Sequence, residues 1–368
     1  MIIGFPKETL DGEQRVSLVP ESIAKLVKAG YEVRFEAGAG LEAGFYDEDY
    51  EKKGATSVAD VSKIWADSDI ILKVNAPSAE EAKSIKESAV LIGTIWTHLH
   101  EEELKILAEK KVSTFAMERM PRITRAQSMD VLSSMSSLAG YKCVIVAADR
   151  LRKIFPMMMT AAGTITPATV FVLGAGVAGL QAIATAHRLG ARVESFDVRA
   201  AVKEQVESLG AKFVEFDLGA EDAEDEGGYA KELTDEQKAR QQELLNEYIA
   251  KVDVVITTAL IPGRPAPKLV TEKGVRGMSP GSVIVDLAAE QGGNCELSEP
   301  GKDVIVDGVT IVGMANVASQ TAYHASQMYS RNLTTFIMHL NNEEKIEIDL
   351  EDEVTKGPLV THEGKVLI

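Results

Sequence analysis

The chain has 368 residues, of which 45% are hydrophobic and 26% are charged, a balance typical of globular proteins long enough for two domains. Its net charge of −17 argues against nucleic acids and anionic membrane surfaces as partners. Cys143 and Cys295 lie in no CxxC or CxxH pattern, so we expect neither a disulfide framework nor a metal site. The early proline and charges of the N-terminal segment are not typical of a signal peptide, which indicates a cytoplasmic protein.

Short strands and helices alternate over residues 1–138 at the spacing of βαβ units. The predicted strands are MIIGFPKE, YEVRFEAG, DIILKVNAP, SAVLIGTIW and VSTFAME, and helices are predicted in PESIAKLVKAG and EEELKILAEKK. Gly30 is the expected C-terminal cap of the first helix. A helix (ASQMYSRNLTTFIMHL) and a hairpin (LVTHEGKVL) end the chain, and we expect residues 323–368 to return to this first domain.

A second domain is predicted over residues 139–322. Its expected strands are TVFVLG, ARVESFDV, AKFVEFD, VDVVITTAL, GSVIVDLA and VTIVGMANV. Near-continuous Val, Ile and Leu indicate a parallel sheet covered on both faces. The predicted fold class is α/β: two Rossmann-like, doubly wound domains with mostly parallel sheets and a cleft between them.

Residues 154–187 carry no Asp, Glu, Lys or Arg and could be mistaken for a membrane span. Pro156 and Pro167 interrupt this segment, and threonines and glycines are spread along it. We therefore expect a loop, a buried strand, a tight turn and a helix, with no direct membrane insertion.

The beginning of the second domain carries the pattern Gly174-x-Gly176-x-x-Gly179 after a predicted strand (170–173) and before a predicted helix (180–189). In such a turn Gly174 allows the tight bend, Gly176 lets the backbone approach a pyrophosphate, and Gly179 lets helix and strand pack closely. The helix N-terminus supplies unpaired N–H groups for the phosphates. The sequence therefore predicts a dinucleotide site here.

Asp197 ends the next predicted strand, 18 residues after Gly179. A carboxylate at this position accepts hydrogen bonds from a ribose 2′-OH and repels a 2′-phosphate, which favours NAD(H). Arg199 could instead bind that phosphate, or it could form an ion pair. Val177 and Val198 are predicted to line the same site.

The loop ALIPGRPAPKLV follows the strand VDVVITTAL, at the strand end where ligands bind in such sheets. Leu260 either packs beside a nicotinamide or is a plain core leucine.

Seven acidic residues and no Lys or Arg occur between Glu215 and Glu226. Acidity this dense cannot hold a phosphate and favours a solvated loop. The glycine pair and aromatic side chain of Gly227, Gly228 and Tyr229 form a tip that could close over a bound cofactor.

The segment MPRITRAQSMD precedes the serine-rich run VLSSMSSLAG. Arg122 and Arg125 are expected in a loop, and helical spacing begins at Gln127. The helix would present an apolar face and a separate polar stripe, the latter comprising Gln127, Asp130, Ser133 or Ser134, and Ser137. The segment is either a capped helix start with weak ion pairs or a ligand site, and its short, uncharged polar side chains favour the ligand site.

The chain resembles the NAD(H)-binding alpha subunits of proton-translocating nicotinamide nucleotide transhydrogenases over nearly its whole length. The resemblance rests on PRITRAQSMD, LSS…LAGY, PMMMTAAGT, GAGVAGLQAIATA, DVRAAVKEQVESLGAKF, GGYAKE, TTALIPGRPAP, VDLAAEQGGNCELSEPG and GVTIVGMAN. Because the sequence contains no membrane span that we accept, it is similar to the separately encoded soluble portion of that subunit.

The resemblance implies site residues. Arg122, Gln127 and Asp130 would form the signature loop at the hydride-transfer site, with Ser133 beside it. Gln127 would bridge toward NADP(H) on a partner, while Arg122 and Asp130 would position the nicotinamide of NAD(H). Tyr229 would be the tip of a mobile loop.

The resemblance also implies an activity and an assembly. The expected enzyme is a Re/Si-specific NAD(P)⁺ transhydrogenase, with direct hydride transfer from NADH to NADP⁺ coupled to proton translocation by membrane subunits. It implies a homodimer, a beta subunit that binds NADP(H), a membrane-spanning alpha part, and a cytoplasmic location peripheral to the inner membrane. Hydride transfer between two nicotinamides needs no general acid or base, only positioning and exclusion of water.

The sequence also resembles alanine dehydrogenase, the alternative function. Arg15 and Lys73 match that family's substrate residues, His98 or His100 could match its histidine, and Glu290 stands where that family has an aspartate. The motif RAQSMD is absent from the dehydrogenase pattern and favours the transhydrogenase. A third possibility is a non-catalytic NAD-binding regulator.

Overall fold

The computed structural model describes residues 1–217, 234–260, 265–342 and 345–368. Its strands are β1 (Ile2–Phe5), β2 (Glu32–Glu36), β3 (Ala55–Val58), β4 (Ile70–Leu72), β5 (Val90–Gly93), β6 (Ser113–Ala116), β7 (Met158–Thr160), β8 (Gly163–Ile165), β9 (Thr169–Leu173), β10 (Arg192–Phe196), β11 (Lys212–Phe213), β12 (Val254–Thr257), β13 (Val283–Asp286), β14 (Asp303–Val306), β15 (Val309–Gly313), β16 (Asn341–Asn342), β17 (Lys345–Ile346), β18 (Leu359–His362) and β19 (Lys365–Val366). Its helices are α1 (Pro20–Lys28), α2 (Asp47–Glu51), α3 (Ser62–Asp67), α4 (Ala79–Ser84), α5 (Glu101–Glu109), α6 (Val131–Arg150), α7 (Val177–Arg188), α8 (Lys203–Ser208), α9 (Asp235–Ile249), α10 (Glu272–Gly277), α11 (Ala322–Leu340) and α12 (Glu353–Lys356).

The chain divides into two compact units: unit 1 is Met1–Met135 with Ala318–Ile368, and unit 2 is Ser136–Val317. The sheet of unit 1 has the order β19-β18-β6-β5-β4-β1-β2-β3. Strands β1 to β6 run parallel to their neighbours, whereas β18 pairs antiparallel with β6 and β19 antiparallel with β18. The C-terminal hairpin therefore extends the sheet built by the first strands of the chain.

The sheet of unit 2 has the order β11-β10-β9-β12-β13-β15-β14. Every pair is parallel except β14 with β15. The order reverses between β9 and β12, as in dinucleotide-binding folds, where the ligand crosses the carboxyl ends of the strands at that point. The predicted α/β class with two Rossmann-like, mostly parallel sheets is confirmed.

The sheet of unit 2 is covered on both faces, as its apolar strands predict. In β9, Val170 and Val172 join one hydrophobic cluster, while Phe171 and Leu173 join another, and all four are fully buried. This alternation follows from the period of two in a strand.

Several elements were not predicted or begin elsewhere than expected. Strands β3 and β14 and the β7–β8 hairpin were missed because they are short or lie at an edge. Helix α7 begins at Val177 and not at Leu180, since glycine is tolerated inside it. Residues 154–187 form the hairpin, β9 and most of α7, in place of one long helix.

Within the described residues, one helix is long and apolar enough to cross a membrane. This is α6, with a mean hydropathy of 1.4 over 18 residues. A core helix of a soluble protein has the same length and composition, so the feature is weak support for a span.

The N-terminal segment of unit 1 is held against the C-terminal region of the chain by serine hydroxyl groups. Three backbone N–H groups donate to them: Gln14 to Ser319 at 3.1 Å, Val16 to Ser326 at 3.0 Å and Val19 to Ser330 at 3.1 Å. These bonds join positions some 300 residues apart in sequence.

A buried ion pair lies within the same segment. The carboxylate of Glu13 accepts hydrogen bonds from Arg15 Nε at 2.8 Å and Nη2 at 2.6 Å, and from Asn75 Nδ2 at 2.9 Å. It also accepts one from the Ser319 hydroxyl. Burial alone would raise the pKa of Glu13, but these bonds and the charge of Arg15 hold it at about 2.

Because its pKa is depressed on folding, Glu13 stabilises unit 1 above its ordinary pKa of 4.5, and this contribution is lost as pH falls toward about 2. We expect Glu13→Gln to lower the free energy of unfolding at pH 7 by on the order of 2 kcal/mol. The gap from the wild type should narrow between pH 4.5 and pH 2. Urea unfolding across this range measures it.

Glu32→Gln is the control, because Glu32 forms an exposed pair with Arg34 that we expect to contribute little. A Glu13→Gln penalty that stays constant with pH would contradict the prediction.

Candidate functional site

The glycine turn of unit 2 lies directly after β9. Gly174 has a φ of +101°, a conformation that favours glycine. A Cβ atom on Gly179 would lie 1.9 Å from the carbonyl oxygen of Gly174, so the first turn of α7 packs against the bend only because Gly179 has no side chain. A Cβ atom on Gly176 would meet nothing within 4 Å. Open space at Gly176 leaves this backbone accessible to a ligand.

Helix α7 begins at Val177, directly after Gly176. Its first N–H groups have no partner within the helix and carry the positive end of the helix dipole. Val177 is 45% exposed at this helix start. The turn and the helix start thus have the form that holds a pyrophosphate in dinucleotide-binding folds.

Asp197 follows β10, the neighbour of β9. Its Oδ2 accepts the Ala175 N–H at 2.7 Å, which ties the carboxylate to the glycine turn. Arg199 closes on the same carboxylate, with Nη2 2.9 Å from Oδ2 and Nε 3.0 Å from Oδ1. Burial alone would raise the pKa of Asp197, but the hydrogen bonds from Arg199 and Ala175 lower it. Val198 is exposed beside them.

Of the alternatives for Arg199, the structure has the ion pair, and its partner is Asp197 itself. A guanidinium bound at both nitrogens to a carboxylate is not available to a 2′-phosphate. The carboxylate that contacts a ribose also withholds the arginine.

Leu260 lies at the end of the segment after β12 and is 45% exposed. The alternative that it is a core leucine is therefore wrong. An exposed apolar side chain at a strand end can contact a ligand.

Sequence reasoning missed two buried polar residues near this strand end. Asp286 ends β13 and accepts a hydrogen bond from Thr257 Oγ1 at 2.9 Å, and Asn294 bonds the backbone of Ala259. Both lie in the motif VDLAAEQGGNCELSEPG, which carried the resemblance but gave these residues no role. A carboxylate and an amide inside an otherwise apolar strand-and-turn motif were the available signal.

The segment RAQSMD of unit 1 is not a continuous helix from Gln127, and that prediction is wrong. Thr124–Met129 is a 3₁₀ turn, Asp130 is extended, and α6 starts at Val131. Asp130 accepts the Ser133 N–H at 2.9 Å and the Ser133 hydroxyl at 2.6 Å, which caps α6. The cap interrupts the turn, so Gln127 shares no helical stripe with Ser133.

The side chains of this segment divide between the two possibilities left open by the sequence. Arg125 pairs with Asp352 and lies 3.5 Å from Glu353, a structural role. Arg122 and Gln127 are exposed, and no hydrogen bond or ion pair of their side chains is recorded within the described residues of the chain. Their polar groups are available to a ligand.

Gly228 and Tyr229, with Gly227 and most of the acidic segment, lie outside the described residues. The lid expected there stays a prediction.

The cations of the alanine dehydrogenase alternative are already paired within unit 1. Arg15 is bound by Glu13. Lys73 is 1% exposed, and its Nζ lies 3.6 Å from Glu8 and 3.4 Å from Glu81. Burial raises the pKa of Glu8 despite the nearby charge of Lys73.

The remaining candidates of that alternative lie apart from Arg15 and Lys73 in their recorded contacts. His100 lies 3.6 Å from Glu103 at the start of α5, and His98 stacks edge-on against Trp96. Glu290 belongs to unit 2, where it accepts the Asn316 N–H at 3.1 Å.

A doubly wound sheet with this glycine turn and strand-end acid defines an NAD-binding oxidoreductase fold. Residues 4–139 match the family described as "Alanine dehydrogenase/PNT, N-terminal domain", and residues 143–368 match "Alanine dehydrogenase/PNT, C-terminal domain". The chain belongs to the alanine dehydrogenase/PNT family.

Both branches of that family occur among its relatives. A separately encoded portion of the NAD(P) transhydrogenase alpha subunit of Rhodospirillum rubrum is 49% identical over 100% of this chain and 98% of its own length. A crystal structure of transhydrogenase from Sinorhizobium meliloti matches 100% of this chain and 99% of its own with a TM-score of 0.87 and 47% identity. An "Alanine dehydrogenase" from Halomonas elongata is 32% identical over 100% of this chain and 94% of its own length.

Two substitutions separate packing from ligand access in the glycine turn. Gly179→Ala should lower the free energy of unfolding by about 2 kcal/mol, because its Cβ atom would overlap the Gly174 carbonyl. Gly176→Ala should leave stability nearly unchanged and weaken NADH binding by about tenfold, because the methyl group fills the open approach. Thermal unfolding and calorimetric titration distinguish them, and equal effects on both quantities would contradict this division.

A second prediction concerns the choice of cofactor. The wild type should bind NADH more tightly than NADPH. Asp197→Asn removes the charge that repels a 2′-phosphate and releases Arg199, so the ratio of NADH to NADPH affinity should fall by about tenfold or more. Asp303→Asn, which breaks the Arg150–Asp303 pair of the same unit, is the control. An unchanged ratio in Asp197→Asn would show that this carboxylate does not select the cofactor.

Proposed function

We propose that this chain is the NAD(H)-binding component of an NAD(P) transhydrogenase and that it delivers hydride from NADH to NADP⁺ held by a partner subunit. The observation that carries the proposal is the glycine turn with Asp197 at the reversal of the unit 2 sheet, in a chain 49% identical to a transhydrogenase alpha-subunit chain. That turn suits a dinucleotide, and the relative's name indicates which reaction uses it.

The residues of the site fit NAD(H). Gly176 leaves space for a pyrophosphate, the start of α7 offers N–H groups, and Asp197 can accept a ribose hydroxyl. When bound, NADH supplies the hydride and its dihydronicotinamide becomes NAD⁺. No proton is exchanged at the reacting carbon, so the protein's task is to orient the rings and exclude water.

Arg122, Gln127 and Asp130 are the residues to which we assign that orientation, with Ser133 beside them. Arg122 and Gln127 present exposed polar side chains, and the carboxylate of Asp130 holds the start of α6 through Ser133. Gln127 would bridge toward NADP(H), while Arg122 and Asp130 would position the nicotinamide of NAD(H). The lid residues Gly228 and Tyr229 belong to the same proposal.

The assembly we propose is a homodimer of this chain with an NADP(H)-binding beta subunit and a membrane-spanning alpha part, which couple Re/Si-specific hydride transfer to proton translocation. The chain would then lie on the cytoplasmic side, peripheral to the inner membrane. The β7–β8 hairpin supports a second copy, because Met158, Met159 and Ile165 expose apolar surface on a soluble unit.

Alanine dehydrogenase is the second candidate, favoured by the 32% identical relative. The internal pairing of Arg15 and Lys73 argues against it, because a substrate carboxylate would have to compete with Glu13, Glu8 and Glu81. Oxidation of L-alanine with NAD⁺ at enzyme-like turnover would favour this candidate over the transhydrogenase.

The deciding experiment mixes the chain with an NADP⁺-loaded partner domain and NADH and follows the formation of NADPH. We expect transfer in the wild type, whereas a non-catalytic NAD-binding regulator would bind NADH without it. Gln127→Asn should slow transfer by about a hundredfold and leave NADH affinity within about twofold, because the shorter amide cannot span the same gap.

Gln205→Asn makes the same change at an exposed glutamine of α8 and should alter neither quantity. Equal loss of transfer and NADH binding in Gln127→Asn would show that Gln127 has only a structural role.

A further inference from the structure

The segment after β12 is fixed at both ends by one buried side chain. Asn294 is fully buried, and its Oδ1 accepts the Ala259 N–H at 3.0 Å. Its Nδ2 donates to the carbonyl oxygens of Ala259 and Pro267, each at 2.8 Å. The amide therefore joins the two ends of a segment that includes Leu260 and passes through residues 261–264, which lie outside the described residues.

Asn294 is itself held by the end of β13. The buried carboxylate of Asp286 accepts the Cys295 N–H at 3.0 Å, the Ser298 hydroxyl at 2.6 Å and Thr257 Oγ1 at 2.9 Å. These bonds bind the turn that carries Asn294 to the ends of both β12 and β13. The position of the Asn294 amide is thus set by the sheet and not by the segment it holds.

The segment is also connected to the glycine turn. Thr258 Oγ1 donates to the Gly174 carbonyl oxygen at 3.1 Å, and Thr258 precedes the residue that Asn294 binds on both of its backbone groups. The Gly174 turn and the segment after β12 therefore keep a fixed spacing across the point where the strand order reverses.

The two sides of that reversal serve different halves of a dinucleotide. The β9–β10 side carries the glycine turn and Asp197, which contact the pyrophosphate and the adenosine ribose. The second mononucleotide crosses to the β12–β13 side, where Leu260 is exposed. A side chain that fixes the segment after β12 acts on the nicotinamide half alone.

We propose that Asn294 is a positioning residue for the nicotinamide half of NAD(H), acting through Ala259, Leu260 and Pro267. The inference rests on the proposed dinucleotide site and adds a residue that determines how one half of the ligand is held. Asn294 touches no ligand itself, and its effect is to keep the contact surface after β12 in register with the glycine turn.

The test compares NADH with ADP-ribose, which has the adenosine and pyrophosphate but no nicotinamide. Asn294→Asp has the same shape, but it replaces the donor to two carbonyl oxygens by a negatively charged oxygen. Calorimetric titration should show NADH affinity reduced about tenfold or more and ADP-ribose affinity within about twofold of the wild type. In transfer assays with the partner domain the KM for NADH should rise.

Asn246→Asp is the matched control. Asn246 is a buried asparagine of unit 2 that bonds Thr271 and Gln242 between α9 and α10, away from the strand ends. It should change the two affinities alike or not at all. Asn294→Ala, which removes the three bonds without adding charge, provides a second variant if Asn294→Asp is poorly folded.

Equal weakening of NADH and ADP-ribose binding in the folded Asn294 variants would overturn the inference, as would unchanged NADH binding. If both Asn294 variants unfold while Asn246→Asp folds, Asn294 serves the fold and not the nicotinamide half, which also overturns it. A wild type that binds neither NADH nor ADP-ribose would instead refute the proposed function.

Discussion

The close approach of α7 to the end of β9 is the constraint on which the candidate site depends. The Gly174 carbonyl lies where any side chain on Gly179 would collide with it, and the same carbonyl accepts the Thr258 hydroxyl. One backbone group thus fixes the helix start on one side of the sheet reversal and the segment after β12 on the other. The helix dipole, Asp197 and Leu260 acquire defined positions because this turn is rigid.

Charge pairing is the second organising feature. Buried or half-buried ions need partners, and here the partners are internal: Arg15 with Glu13, Lys73 with Glu8 and Glu81, and Arg199 with Asp197. In unit 1 this pairing occupies the cations that an amino-acid dehydrogenase would offer to substrate. In unit 2 it withholds an arginine from a 2′-phosphate. Selection against alternative ligands can therefore come from bonds within the protein.

Much of the fold was predictable because its signals are local. Runs of apolar residues with strand periodicity, separated by helices, indicated both parallel sheets, and GxGxxG followed by Asp197 indicated the site at the reversal. The short strands β3, β7, β8 and β14 carry too little apolar pattern to be distinguished from loops. The helix start at Val131 was misplaced because a 3₁₀ turn and an α-helix share nearly the same spacing over six residues.

The sequence by itself determined the α/β class, the glycine turn and the resemblance to a family, because each depends on residue types at fixed short spacings. Only the tertiary structure decided which partners the polar residues take. It paired Arg199 with Asp197, assigned Asp130 to the cap of α6, exposed Leu260, and brought Asn294 to a segment that begins 35 residues earlier. Such contacts join residues that are distant along the chain, so no local pattern specifies them.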